Sequence, residues 1–223
     1  MKKLLRLRTK TSLGACALMI GMLAGFSADE PSNTKVNSGQ PDKGLAIADF
    51  EEGKAMTLAS TPWVSFTDES MGGKSTVSLT VSTNGAQASK VALKMSAKLT
   101  PEFQWGGFVG TRAWLQADGS PKDMSKVTGV RFYARGDGRK YRLLVSRQNV
   151  KDGNHFAYEF TAPTEWKLFQ VSFSKLTQSP YFGEQVPWSA TNITGVGFLA
   201  FAEPGTTAES RLEVDNVSFY IDK

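Results

Sequence analysis

From Ser78 to the C-terminus the chain is a succession of short runs in which apolar and polar residues alternate, each closed by turn residues. The runs are "SLTVS", "VALKMSAKL", "GFVGTRAWL", "GVRFYARG", "KYRLLVSRQ", "HFAYEFTA", "KLFQVSFS", "GVGFLAF" and "RLEVDNVSFYI". Between them stand "TNG", "ADGSP", "GDGR", "KDGN", "APTE" and "EPG". No dozen-residue window carries a 3.6-residue period, apart from a turn around Lys122–Lys126. Many short strands at this spacing require two sheets or a barrel. The run lengths and one-sided alternation predict an all-β fold of two packed antiparallel sheets.

The N-terminus is of another kind. "MKKLLRLRTK" carries five positive charges and no acid, and "TSLGACALMIGMLAGFSA" follows as an apolar run ending in small residues. That order predicts a signal peptide over residues 1–27, cut after Ser27, with a retained anchor as the alternative. "LGAC" resembles a lipoprotein box but comes too soon after Lys10. Residues 28–44, polar and rich in Ser, Asn, Pro and Gly, predict a flexible linker, and 45–223 a single domain.

Cleavage would change the electrostatics. The chain has 26 basic and 21 acidic residues, and Lys2, Lys3, Arg6, Arg8 and Lys10 all lie in the leader. Without those five the balance is 21 against 21, so the basic footprint of a nucleic-acid binder is missing. Cys16 leaves as well, and an exported chain without disulfides must be held by core burial. The expectation is a periplasmic or extracellular monomer with no membrane span after cleavage and no nucleic-acid partner.

Catalytic residue types are scarce. His155 is the single histidine, in a turn before a strand and expected to be exposed. No serine sits in a "GxSxG" frame, and no zinc spacing exists. Paired carboxylates from distant strands are open to any such fold, but no acid sits in an apolar surround. The expectation is a non-enzyme with no catalytic cofactor. In "TDESMGGKS", Gly72 and Gly73 supply backbone angles at a corner, Met71 plugs the core and Asp68 caps the turn. "RGDGRKY" predicts a two-residue hairpin turn rather than an adhesion tripeptide.

Asp68, Met71, Gly72, Gly73 and Ser75 also match the opening signature of the complex I intermediate-associated protein 30 family. "GGF" at Gly106–Phe108, "GVRFYARGDGRKY", "FAYEF", "WKLFQVSFS", "GVGFLAF" and "LEVDNVSFY" follow in that family's order. The fold this resemblance implies is a galactose-binding-like jelly roll, similar to carbohydrate-binding module family 11. Between Ser75 and Gly106 the chain carries "VALKMSAKLTPEFQW", closer to the carbohydrate-module pattern than to the mitochondrial one.

The resemblance implies a non-catalytic module binding carbohydrate. Its alternative is an interaction or assembly factor acting on an envelope protein or a respiratory complex, and a glycoside hydrolase trails both. Similar jelly rolls hold a structural calcium where an early acid meets a late aspartate, which implicates Asp49, Glu51 and Asp215; the alternative leaves these acids solvated or capping turns.

Alternation sends Val130, Phe132 and Ala134 inward and Tyr133 and Arg135 outward, Tyr141, Leu143 and Val145 inward and Arg142 and Gln148 outward. It likewise separates Phe156, Tyr158 and Phe160 from Glu159. Placed on one jelly-roll face, Tyr133, Arg135, Arg142, Gln148 and Glu159 offer a ring to stack on and polar groups for sugar hydroxyls. Trp63 and Trp114 either wall that groove or enter the core.

Overall fold

The computed structural model describes residues 45–222; the leader and linker readings lie outside the described residues. Among the described residues the alternating runs form strands, with two short 3₁₀ turns at Asp68–Met71 and Phe173–Lys175. The strands are β1 (Ala46–Ala48), β2 (Trp63–Thr67), β3 (Thr76–Thr83), β4 (Val91–Leu99), β5 (Phe108–Trp114) and β6 (Gly129–Gly136). They continue as β7 (Lys140–Arg147), β8 (Phe156–Thr161), β9 (Lys167–Ser172), β10 (Ile193–Phe201) and β11 (Ala208–Tyr220).

They make two antiparallel sheets. One runs β3-β4-β11-β6-β9, with β1 also on β11; the other runs β2-β5-β10-β7-β8. The inward sets are as the alternation predicts: Val130, Phe132, Ala134, Tyr141, Leu143 and Val145 are wholly buried. Aromatic rings join the sheets. Phe132 stacks on Phe169 at 5.4 Å and meets Phe160 and Phe198 edge-on at 5.1 and 5.0 Å. Burying such rings is the main source of stability for a fold with no cross-links in its described part.

The "RGDGRKY" segment is not the predicted hairpin. It carries the chain from β6 in one sheet to β7 in the other. The physical reason is a second crossing beside it, from β8 to β9. The two crossings satisfy one another's backbone: Gly136 N and Gly138 N donate to Pro163 O and Ala162 O, and Ala162 N donates to Arg139 O. Asp137 pins the corner, accepting from Arg139 N, the Tyr141 hydroxyl and Arg211 N. Gly138 takes φ +81°, the left-handed region that the turn requires.

The "TDESMGGKS" segment does turn a corner, joining the two sheets from β2 to β3. Met71 is not a core plug; it is 54% exposed at the end of the 3₁₀ turn. The buried residue there is Asp68. Its carboxylate accepts from Ser75 N at 3.0 Å, the Ser75 hydroxyl at 2.6 Å and Phe108 N at 3.0 Å. One side chain thus ties the corner to the strand it enters and to β5.

Candidate functional site

Because β6 and β7 belong to different sheets, the five outward residues predicted for one face do not share it. Tyr133 and Arg135 lie on the outer face of the β3-β4-β11-β6-β9 sheet, where Arg135 meets buried Glu213 at 2.7 Å and stacks on Trp166. Arg142 and Glu159 lie on the other sheet, directly opposite each other on β7 and β8. Glu159 is engaged there with Lys140 at 2.8 Å and Arg142 at 3.7 Å, and Arg142 also covers the Phe201 ring. Trp63 is core: 4% exposed and stacked on Phe198 at 5.9 Å. Of the predicted ligand residues, the structure brings Trp114 and Gln148 together in a hollow.

That hollow is a groove of about 450 Å³ on the outer face of the β2-β5-β10-β7-β8 sheet. Strand register explains it. On central β10, Gly195 lies between Trp114 of β5 and Ser146 of β7, and Gly197 lies between Arg112 and Leu144. Both glycines are buried by the close approach of β5, and the hollow beside them is lined by Arg112, Trp114, Ser146 and Thr194. A Cβ at either glycine would run into a β5 carbonyl, of Ala113 or of Thr111. The glycines therefore serve close strand packing.

Its walls are built from several elements. Arg112 and Trp114 alternate outward along β5, and the guanidinium rests 4.7 Å from the ring centroid. Ser146 ends the outward row of β7, followed by exposed Gln148. Arg147 sits beneath, 4% exposed, donating to Asn192 Oδ1 and Pro187 O; burial lowers its pKa. The loop before β8 brings Lys151 and His155 to the far wall.

His155 is not the exposed turn residue expected. It is half-buried on the groove, and its Nδ1 is buried without a hydrogen-bond partner. Loss of hydration, and then the nearby positive Arg112, push its pKa down to about 4 although Asp152 pulls the other way. The imidazole is therefore neutral at pH 7.

Arg112, Ser146 and Lys151 are not among the site residues the sequence predicts, and His155 is predicted there only as an exposed turn residue. The alternation of "GFVGTRAWL" does turn Arg112 and Trp114 to one side, but nothing in it says that β5 neighbours β10 and, beyond it, β7.

Of the predicted calcium ligands, Glu51 and Asp215 come near each other at the segment before β4, with Ser89 between them, and Asp49 turns to Glu51 N. β1 pairs with β11, as expected for an early strand beside a late one. Yet Asp215 Oδ2 and Oδ1 accept from Ala86 N and Asn216 N, Glu51 Oε1 accepts from the Ser89 hydroxyl and Lys90 N, and Asp49 Oδ1 accepts from Glu51 N. Among the described residues no group of three or more His, Cys, Asp or Glu side chains could hold a metal ion. The three acids do not fit a calcium cage. We expect thermal melts in calcium and in chelator to superimpose, and a melting temperature several degrees higher with calcium would reinstate the ion.

No helix among the described residues is long and apolar enough to cross a membrane.

Comparison with known proteins agrees with this architecture. A family 11 carbohydrate-binding module from Clostridium thermocellum, solved in complex with a β-1,3-1,4-mixed-linked tetrasaccharide, superposes with a TM-score of 0.60 at 21% identity, covering 79% of this chain and 94% of that one. A family 11 module of a cellulosomal cellulase from the same organism gives 0.60 at 20% identity, covering 80% and 95%. Endoglucanase 3 of Fibrobacter succinogenes is 22% identical over 185 residues, 78% of this chain. The chain spans only 27% of that enzyme's length. Residues 48–214 match the family model described as complex I intermediate-associated protein 30, and with most of its length so matched the chain belongs to that family.

Proposed function

We propose that this chain is a non-catalytic carbohydrate-binding module, exported after its leader is cut, whose ligand lies in the groove beside Trp114. The observation that carries the reading is the groove itself. A half-exposed indole, an adjacent guanidinium fork and the amide of Gln148 converge on one hollow of the sheet's outer face. A sugar ring presents apolar C–H faces to stack on an aromatic ring and hydroxyls in its plane for forked donors and amides, so the two kinds of group serve one ligand. The family 11 module with its bound mixed-linked tetrasaccharide supports the same class of ligand for this fold. The groove lining includes no Asp or Glu, which supports binding over glycoside hydrolysis, a reaction that needs two facing carboxylates.

A second reading rests on a different part of the same sheet face. Val64, 40% exposed, and the partly exposed Phe66, Leu199 and Phe201 make its other end apolar, which suits an envelope protein or an assembly partner.

A glycan-array screen of residues 28–223, followed by calorimetry on the strongest binder, tests both. Trp114→Ala should weaken the strongest binder at least tenfold. Tyr133→Ala, on the opposite sheet, should leave it unchanged. A glycan that binds equally well to folded Trp114→Ala shows that the groove is misplaced. Absence of any glycan binder, with capture of an envelope protein lost on Phe66→Ser, would transfer the function to the apolar end.

A further inference from the structure

The groove gathers positive groups without negative ones. Arg112 and Lys151 line it, and neither has an ion-pair partner among the described residues, although five other ion pairs are formed there. Elsewhere on these sheets Arg135, Arg142 and Arg211 each meet a glutamate. Arg147 does not add to the groove's two cations: it shares the inward parity of Val145, and its guanidinium is held on the core side by Asn192 Oδ1, Pro187 O and the rings of Phe156 and Trp188.

Of the acids on the surrounding loops, Asp118 and Asp152 are otherwise engaged, and Glu184 stands with Lys151 on an adjoining hollow. Asp118 accepts from Ser120 N and its hydroxyl, and Asp152 accepts from Asn154 N and Glu184 N. Both carboxylates close their own loops. His155, the other ionisable group on the wall, offers a buried and unpartnered Nδ1. A neutral sugar can take the Arg112 fork on its hydroxyls but leaves the charges of Arg112 and Lys151 without a counter-charge. An anionic substituent on the sugar would give them their counter-charge, Arg112 by a bidentate fork from the β5 wall and Lys151 by a point charge from the far wall.

We infer that the groove takes an acidic glycan, one whose sugars carry carboxylate or sulfate groups. This deepens the carbohydrate reading and rests on it. Uronic acids and sulfate esters present the same anionic oxygens, and the groove recognises that shared chemistry.

The test is calorimetry of residues 28–223 against three matched oligosaccharide sets: uronic-acid oligomers, sulfated oligomers and neutral mixed-linkage β-glucan. At least one acidic set should bind tenfold or more tighter than the neutral one, and the two acidic arms identify which anion is preferred. Raising salt from 50 to 500 mM should weaken the acidic ligand severalfold. Arg112→Gln should narrow the acidic-to-neutral ratio by tenfold or more and Lys151→Gln by a smaller factor, whereas Trp114→Ala should weaken both classes together. Circular dichroism and thermal melts confirm that each variant is folded.

Neutral β-glucan binding as tightly as the better of the two acidic sets would overturn the inference while leaving the carbohydrate reading intact. An acidic preference that survives both charge substitutions would also overturn it, because the anion would then be read elsewhere. No binding by any of the three sets would overturn both readings.

Discussion

Asp68→Ala is expected to lower the unfolding free energy by about 3–5 kcal/mol, the largest loss of any single polar substitution in the domain. Asp68 is completely buried and its carboxylate accepts three hydrogen bonds, two from Ser75 and one from Phe108 N. Alanine would leave those donors facing a dry gap. Each buried donor deprived of its partner costs about 1–3 kcal/mol, and bonds to a charged acceptor lie at the upper end. The Ser75 hydroxyl also accepts from Thr100 N, so the loss would spread into the loop after β4.

For a domain of this size a loss of that order lowers the melting temperature by about 10 °C. Asp68→Asn should fall between the two. Ser75 N donates to one carboxylate oxygen, and the Ser75 hydroxyl and Phe108 N to the other, so an amide can serve only one side. Urea unfolding at pH 7 measures both variants. A loss below 1 kcal/mol for the alanine would show that the corner is held by something else. The adjacent Gly73 belongs to the same construction, because a Cβ there would overlap the Asp68 carboxyl.

This corner shows what the sequence could and could not tell. Period-two alternation identified the buried residues of β6 and β7, and all six of those predicted inward are fully buried. Alternation fixes the face of a strand. It is silent on which sheet the strand joins, because strands of both sheets point their apolar side at the same core. The Asp-Gly pair in "RGDGRKY" reads locally as a hairpin, and only the neighbouring crossing at 161–163 makes it a passage between sheets. From that single difference, Tyr133 and Arg135 part from Arg142 and Glu159.

The groove was even less readable. Its walls depend on β10 bringing β5 and β7, strands far apart in the chain, to either side of it. Trp63 and Trp114 are indistinguishable by type, and they separate because Trp63 pairs opposite inward Ala113, one residue out of phase with Trp114. His155 drew attention as the single histidine, but its placement comes from the braced loop around Asp152 and Asn154, whose partners lie in residues 179–184.

The pH dependence of stability should reveal two buried groups that oppose each other, with His155→Gln separating them. His155 has its pKa depressed from an ordinary 6.5 to about 4, chiefly by burial. Between those values the unfolded chain binds the proton and the folded chain does not. The stabilisation from keeping His155 neutral is thus complete above pH 6.5 and is lost as pH falls toward 4. At 1.36 kcal/mol per pH unit that loss is about 3 kcal/mol. Asp215 behaves in the opposite sense. Burial raises its pKa from 3.8 to about 6, outweighing its bonds from Ala86 N and Asn216 N, and the charge of Glu51 adds to the rise.

The folded protein therefore holds the Asp215 proton more tightly, and its contribution is present below pH 3.8 and lost as pH rises toward 6. In the wild type the two effects run against each other across pH 4–6. Replacing His155 with glutamine removes one and leaves the other. Relative to wild type, His155→Gln should gain about 3 kcal/mol in unfolding free energy between pH 7 and pH 4, whatever its offset at neutral pH, and Asp215→Asn should move by a similar amount in the opposite direction. Urea unfolding of the three proteins at pH 7, 5.5 and 4 measures these differences, and other titrating groups cancel in each comparison. A constant gap between His155→Gln and wild type over that range would mean that His155 is hydrated on the groove wall. In that case a ligand meets a solvated imidazole there, rather than a dry neutral ring beside the Arg112 charge.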